Sequence, residues 1–179
     1  MKMFEKLDET KYFLEQMRLN IKDRRAFKHN LSAFLSSGRS VTFVLQNEYA
    51  ENTKFREWYE KKKEEMKTDN LLNFFVNKRN YVIKEGPVEL RGKIFLEVHD
   101  AITISESVTV IKKRPDGTEE IVHQTEPEIK ARAKPKEIKS SYQLFFEDYP
   151  DKDILTLCEE YVERLTKIVE EAKKIVSSG

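Results

Sequence analysis

The sequence predicts an α+β protein in which an up-down helical bundle carries a small antiparallel β-sheet inserted before its last helix. Apolar residues recur every three or four positions up to residue 86 and again after residue 150, but they alternate every second position in between. The last helix has a longer apolar stripe than short strands can cover, so it should return to the first helices. We expect one domain, with first helices in 1–86, a strand-rich insert in 87–149 and a completing helix in 150–179.

Composition excludes several classes of protein. The 179 residues carry 33 Lys and Arg against 32 Asp and Glu, so the net charge of +1 gives no global attraction to nucleic acid. The single cysteine, Cys158, excludes an internal disulfide framework and a cysteine-rich zinc site. The charged N-terminus lacks the apolar run of a signal peptide, and no segment approaches the roughly 20 apolar residues of a membrane span. We therefore expect a cytoplasmic protein with no membrane association.

Four helices are predicted before residue 86. The first carries a narrow apolar seam, and the second, within 24–49, has a broader stripe that includes Gly38. Because glycine inside a helix costs about 1 kcal/mol relative to alanine, Gly38 indicates close approach by a neighbouring helix. The third helix, 55–66, contains a KKKEE run that we interpret as a solvated face. The fourth begins at Leu71 after capping residues at 68–70 and ends before Gly86.

The middle of the chain has the pattern of strands. Residues 93–113 alternate, Pro115-Asp116-Gly117 forms a turn, and 119–124 can return as a paired strand. The segment 126–141, with two prolines and many charges, is predicted to be a loop, and 142–146 alternates again. The last helix follows Pro150 and has the strongest helical periodicity of the chain, through Ile154, Cys158, Tyr161, Leu165, Ile168, Ala172 and Ile175.

Arg79 is the main candidate site residue. On a helical wheel of the fourth helix it falls near the centre of the apolar arc, whereas Asn80 and Lys84 fall on the opposite, polar side. An unpaired buried charge costs several kcal/mol, so the guanidinium needs a partner. That partner is either a carboxylate, for instance that of Glu48 or Glu51, or a phosphate or carbonyl group of a ligand.

Three stretches resemble the HEPN-domain family: NLSAFLSSGRSVTFVLQ, a short helix with a tryptophan, and LLNFFVNKRNYVIKEGP. The family motif is Arg, a polar residue, three variable residues and His. Arg79 and Asn80 match its first two positions, and Lys84 stands where catalytic members have His. The resemblance covers the first three or four helices and the last one, but not the strand-rich insert.

The resemblance implies a function and partners. HEPN proteins are small helical bundles, many of them dimeric ribonucleases, so it implies a homodimer that binds RNA or a nucleotide through Arg79 and Asn80. Catalysis would involve Arg79 and Lys84, but lysine is normally protonated and is a poor general base, so we expect RNA cleavage to be impaired. A toxin–antitoxin or defence setting and a nucleotidyltransferase-like partner protein are also implied. The alternative is a non-catalytic protein-interaction module that uses the inserted sheet.

Other reactive residue types give weaker signals. His29 is predicted to be a surface residue, and His99 and His123 lie in the predicted sheet without an obvious third ligand, so we expect no metal site. Cys158 belongs to the apolar stripe of the last helix and is predicted to be a core residue. No phosphate-binding glycine loop is present, and no cofactor is expected. The basic residues of 126–141 form either a solvated loop or a nucleic-acid patch: Lys130, Arg132, Lys134, Lys136 and Lys139.

Overall fold

A computed structural model describes residues 1–99, 103–126, 128–132 and 137–177. The helices are α1 (Lys2–Leu19), α2 (Arg24–Glu48), α3 (Thr53–Thr68), α4 (Asn70–Lys84) and α5 (Ile154–Ser177). The strands, which all lie between α4 and α5, are β1 (Arg91–His99), β2 (Thr103–Glu106), β3 (Thr109–Lys113), β4 (Glu119–Gln124), β5 (Glu128–Arg132) and β6 (Glu137–Phe145). The predicted α+β class, with strands placed before the last helix, is confirmed.

The chain divides into two compact units. The helical unit contains Met1–Lys93 and Tyr142–Gly179, and the strand unit contains Ile94–Ser141. The chain leaves the helical unit along β1 and returns along β6, and these two strands pair with each other. The helical unit is therefore discontinuous in sequence.

Side-chain caps explain where the helices of the first unit begin. Asp23 Oδ1 accepts hydrogen bonds from the backbone N–H groups of Arg25 and Ala26, both at 3.0 Å, at the start of α2. Asn52 Oδ1 accepts from the N–H of Phe55 at 2.8 Å at the start of α3. These bonds satisfy N–H groups that have no partner within their own helix, and each cap stabilises its helix by about 1 kcal/mol.

The core of the helical unit is formed where α5 packs on the other helices. Contacts join α5 to each of α1, α2, α3 and α4, and α1 also packs along α2. The buried face of α5 consists of Ile154, Leu157, Cys158, Tyr161, Val162, Leu165, Ile168, Val169 and Ala172. The return of the last helix to the first helices, which its periodicity predicted, is thus observed.

Gly38 lies at the closest of these helix contacts. A Cβ atom added to Gly38 would lie 2.7 Å from Cε1 of Tyr161. The Tyr161 ring fills that space and stacks on Phe75, with ring centroids 4.2 Å apart and an interplanar angle of 15°. The predicted close approach at Gly38 is confirmed, and the neighbouring helix is α5.

The strand unit contains two antiparallel strand pairs. In one, β3 pairs with β4, and the register places Ile111 opposite Ile121 and Lys113 opposite Glu119. The turn between them has Gly117 at φ +84°, a conformation that favours glycine. The predicted return strand over 119–124 is confirmed. In the other pair, β2 pairs with β5, with a register shift between Ile104 and Ser105.

The loop predicted over 126–141 is wrong for its described parts. Residues 128–132 form β5, and β6 begins at residue 137. Strands distant in sequence, β2 and β1, pair with these segments and supply partners for their backbone groups. Pro127 and Pro135, which suggested the loop, lie outside the described residues, as do Lys134 and Lys136 of the basic cluster.

Candidate functional site

A half-open pocket lies within the helical unit where α2, α3, α4 and α5 meet. Its volume is about 250 Å³. The inner wall is apolar and is formed by Met66, Leu72, Val76, Tyr161 and Leu165. The polar lining residues are Arg39, Thr42, Gln46, Tyr59, Lys63, Lys67 and Asn73. Within the described part of the chain, this lining includes three cationic side chains and no carboxylate.

Helical spacing explains why these side chains converge. Arg39, Thr42 and Gln46 are three and four residues apart on α2, so they share one face beside the core stripe. Tyr59, Lys63 and Met66 share a face of α3 in the same way. α2 and α3 thus each form one side of the pocket with residues from a single face of the helix.

Arg39 is the cation without a carboxylate partner. Its Nη1 donates to Thr42 Oγ1 at 2.8 Å, and its guanidinium carbon lies 4.2 Å from the centroid of the Phe43 ring. Among the described residues no carboxylate forms an ion pair with Arg39, whereas Lys63 pairs with Glu60 at 2.7 Å and Lys67 with Glu64 at 2.6 Å. Arg39 therefore keeps donors that can bind an anion.

Two tyrosines bring neutral hydroxyl groups to the same place. Burial raises the pKa of Tyr59, and the Arg39 charge and a hydrogen bond with Thr42 reduce that shift. Burial also raises the pKa of Tyr161, again opposed by Arg39. Both phenols therefore stay protonated at neutral pH, and the positive charge of the pocket is not cancelled by phenolate.

This arrangement of side chains is suited to binding a ligand. The Arg39 guanidinium favours an anionic group, and the apolar wall favours a non-polar or ring-shaped body beside it. Among the described residues, the pocket lining includes no histidine, carboxylate or thiol.

Arg79, the main candidate from the sequence, lies on α4 and is not among the residues that line this pocket. Its Nη1 donates to Asn80 Oδ1 at 3.1 Å, and its Nε is buried without a hydrogen-bond partner in the described part of the chain. The carboxylate of Glu48, one of the two suggested partners, instead accepts from the backbone N–H groups of Lys2, at 3.2 Å, and Met3, at 2.9 Å. The role of Arg79 and Asn80 in binding stays a prediction.

Lys84 is the last residue of α4 and is exposed. Five helical positions separate it from Arg79, which corresponds to about 140° around the helix axis. The two side chains consequently leave the helix in different directions, so a shared site would need groups from elsewhere. The catalytic role of Arg79 and Lys84 stays a prediction.

The remaining candidates occupy ordinary structural positions. His29 is exposed and Cys158 is fully buried, as predicted, and burial raises the pKa of the Cys158 thiol well above its usual value. His123 faces Val110 in the β3–β4 pair. Over the described ranges, no group of three His, Cys, Asp or Glu side chains could hold a metal ion, and no helix is long and apolar enough to cross a membrane.

The fold and the pocket define an α+β protein whose helical unit carries a half-open pocket lined by Arg39, Lys63 and Lys67. Residues 2–175 match the sequence model of the family described as bacteriophage lambda protein ea47, and the chain belongs to this family. No curated protein and no solved structure matches the chain at a significant level.

The resemblance to HEPN proteins is therefore wrong. The family match spans nearly the whole chain, including the strand-rich insert that the resemblance left out. The motif relied on two matching residues, Arg79 and Asn80, within one amphipathic helix, and such a short pattern arises readily by chance. The expected toxin–antitoxin setting and nucleotidyltransferase-like partner depended on the same resemblance and lose that basis.

Arg39, Lys63 and Lys67 were not predicted from the sequence as site residues. Arg39 directly follows Gly38, whose close contact was predicted, but one helix alone does not show that its face borders a cavity. Lys63 belongs to the KKKEE run that was interpreted as a solvated face, and Lys67 follows it two residues later. Their spacing from Tyr59, four and eight residues, was the available signal, since it places them beside a buried aromatic residue.

Proposed function

We propose that the protein binds a nucleotide, or a phosphate ester of similar size, in the pocket between α2, α3, α4 and α5. The observation that carries this proposal is Arg39, an arginine without a carboxylate partner in the described chain, at a pocket that also receives Lys63 and Lys67. A planar guanidinium donates two parallel hydrogen bonds to phosphate. Lys63 and Lys67, each paired with an exposed glutamate of α3, line the same pocket.

The size and lining of the pocket favour a small ligand over a nucleic acid. Its volume of about 250 Å³ lies just below the range of about 300–1,000 Å³ that is typical of small-molecule sites. An apolar wall that includes Leu72, Val76 and Leu165 suits a base or another ring, and Asn73 and Gln46 offer amide groups for hydrogen bonds. The unpaired cysteine suits a reducing compartment, and we place this binding in the cytoplasm.

Calorimetric titration with AMP, UMP and inorganic phosphate tests the proposal. Arg39→Gln should weaken binding of the monophosphates by about 10- to 100-fold, because a hydrogen bond to a charged group contributes about 1.5–3 kcal/mol. Arg39→Lys should restore only part of the affinity, since lysine cannot form the paired hydrogen bonds. Arg56→Gln, at an exposed arginine of α3 outside the pocket, is the matched control and should bind like the wild type.

Two results would contradict the proposal. One is equal affinity of the Arg39→Gln and Arg56→Gln variants for the monophosphates. The other is tight binding of a single-stranded oligonucleotide together with no binding of any monophosphate, which would indicate an RNA surface instead of a nucleotide pocket.

A protein-interaction role for the inserted strands is a second proposed function. It is favoured by apolar side chains that β3 and β4 expose, among them Val110, Ile111, Ile121 and Val122. Exposed apolar side chains clustered on a sheet commonly mark contacts with another protein. This role does not depend on the pocket.

A further inference from the structure

A cluster of basic side chains lies near the start of α2, in the helical unit and outside the pocket described above. Arg24 lies four residues before Lys28, and side chains at this spacing share a face of a helix. Arg25 and His29 have the same spacing. With Ser32, these four side chains line an open depression of about 350 Å³, and the described residues of that lining include no carboxylate. The four residues form the basic face of α2.

Most of the charge of the basic face is not neutralised within the protein. Nη2 of Arg24 donates to a backbone carbonyl, that of Leu90, at 2.7 Å. In the described part of the chain, no carboxylate forms an ion pair with Arg24 or Arg25. Lys28 pairs with Glu89 at 3.3 Å, but the Glu89 side chain is 73% exposed. The basic face therefore presents hydrogen-bond donors and positive charge to solvent.

A further cation lies beside the basic face. Lys22, in the turn before α2, is exposed, and its Nζ lies 5.4 Å from the centroid of the Tyr142 ring. An aromatic ring attracts the ammonium group without neutralising its charge. With Lys22 included, four cations outnumber the two carboxylates that contact this segment, Asp23 and Glu89. The surface is locally positive although the net charge of the chain is only +1.

The stability of α2 does not explain why these cations are there. The N-terminus of a helix carries a partial positive charge, so cations in the first turn are unfavourable. The first turn of α2 begins with Arg24 and Arg25 and contains no acidic residue. The Asp23 carboxylate already accepts from the N–H groups of Arg25 and Ala26, so side chains, and not the end of the helix, are available to an anion. A local cost of this kind is typical of a functional surface.

We propose that the basic face of α2 binds the phosphate backbone of double-stranded DNA. Arginine, lysine and serine side chains are common donors to DNA phosphates, and the open depression leaves room for a backbone to pass across it. This surface is separate from the nucleotide pocket, and the inference goes beyond the function proposed for that pocket.

The lining of the depression favours a DNA duplex over other polyanions. Among its described residues there is no aromatic side chain on which the bases of a single strand could stack, and no large apolar side chain that could enter a membrane surface. The cations lie in the first two turns of an α-helix, which the wide major groove of B-DNA admits between its phosphates. The narrow major groove of duplex RNA does not admit a helix.

Fluorescence anisotropy with a DNA duplex, at salt concentrations between about 50 and 200 mM, tests the proposal. Four phosphate contacts predict a slope of log K against log salt of about −3 to −4. Arg25→Gln should weaken binding about 5- to 10-fold at the lowest salt and make the slope shallower by about 1. The double variant Arg25→Gln/Lys28→Gln should weaken it by about 10- to 100-fold. Arg56→Gln, at the exposed arginine of α3, is the matched control and should bind like the wild type.

Two further measurements separate binding from folding. Arg25→Gln should unfold at the same temperature as the wild type or slightly higher, because it removes a cation from a helix N-terminus while it weakens DNA binding. Glu89→Gln should strengthen DNA binding by about 3- to 10-fold, because it removes the carboxylate that competes with phosphate for Lys28.

Several results would overturn the proposal. They are no duplex binding at about 50 mM salt, equal affinity of the double variant and Arg56→Gln, and tighter binding of a single strand or of an RNA duplex than of the DNA duplex. Arg39→Gln should bind DNA like the wild type, so a failure at the basic face is distinct from a failure of the nucleotide pocket.

Discussion

Asp69 and Arg164 join the start of α4 to the middle of α5. Oδ1 of Asp69 accepts from the backbone N–H groups of Leu71, at 2.8 Å, and Leu72, at 2.9 Å, while Oδ2 accepts from Nε of Arg164 at 2.8 Å. One carboxylate thus starts a helix and fixes that helix to the element that closes the core. Since Leu72 and Leu165 both line the pocket, this contact also sets the position of its apolar wall.

Substitution of Asp69 should separate its two roles. Asp69→Ala removes both the cap and the ion pair and should lower the free energy of unfolding by about 1–2 kcal/mol. Asp69→Asn keeps a capping oxygen and loses the charge, and since the pair with Arg164 is partly exposed, it should cost less than about 1 kcal/mol. Urea unfolding checks both values. A larger loss of unfolding free energy in Asp69→Asn than in Asp69→Ala would contradict the separation of capping from ion pairing.

Acid should weaken the same contact. Burial alone would raise the pKa of Asp69, but the N–H of Leu72 and the guanidinium of Arg164 hold it below its ordinary value. A carboxyl with a lowered pKa in the folded state stabilises the protein above the pKa of the unfolded chain, about 4, and loses this contribution as pH falls further. Urea midpoints should therefore fall less steeply below pH 4 in Asp69→Ala than in the wild type.

The tyrosines should control stability at alkaline pH. Burial raises the pKa of Tyr161, so its contribution is complete below the unfolded value, about 10, and is lost as pH rises above it. Tyr161→Phe cannot ionise and should show a smaller loss of stability between about pH 10 and 12. Tyr12→Phe, at an exposed tyrosine of α1, is the control and should follow the wild type. Parallel pH profiles for all three proteins would contradict the assignment.

Gly38 should tolerate no side chain. Gly38→Ala gains about 1 kcal/mol of helix propensity, but its Cβ would lie 2.7 Å from the Tyr161 ring, and overpacking costs about 1–3 kcal/mol. We expect net destabilisation of up to about 2 kcal/mol in thermal unfolding. Ser36→Ala, on the exposed face of the same helix, should be neutral or slightly stabilising. A gain of stability in both Gly38→Ala and Ser36→Ala would show that the Tyr161 ring can move away from α2.

Arg79 should be dispensable for the stability of a single chain. Its buried Nε has no partner in the described part of the chain, and an unsatisfied buried donor costs about 1–3 kcal/mol. Arg79→Met keeps the length of the side chain and removes the donor, so it should be neutral or stabilising by about 1 kcal/mol in urea unfolding. Arg56→Met, at an exposed site, should change stability by less than about 0.5 kcal/mol. A clear destabilisation by Arg79→Met would contradict the interpretation of Nε as an unsatisfied donor.

The sequence predicted the helices well because periodicity and capping are local properties. The start of α4 follows from the Asp69 cap, and the packing of α5 follows from its unbroken stripe. The strands around residues 128–132 and 137–141 were missed because their partners are distant in sequence, and local composition carries no information about pairing.

The pocket was missed for a related reason. Arg39 borders a cavity only because three other helices approach it. The apolar periodicity of one helix does not predict how neighbouring helices are oriented around it.

The discontinuity of the helical unit has a consequence for synthesis on the ribosome. Residues 1–93 emerge before the strand unit, but α5, which closes their core, emerges only after the strand unit has been made. The β3–β4 hairpin, whose contacts are local, can form as soon as it leaves the exit tunnel, whereas the apolar faces of α1 to α4 wait for a segment translated after it. The unit that begins to be translated earlier is therefore completed later, and the nascent chain depends on protection of those apolar faces, by early helix pairing or by chaperones, until α5 has been made.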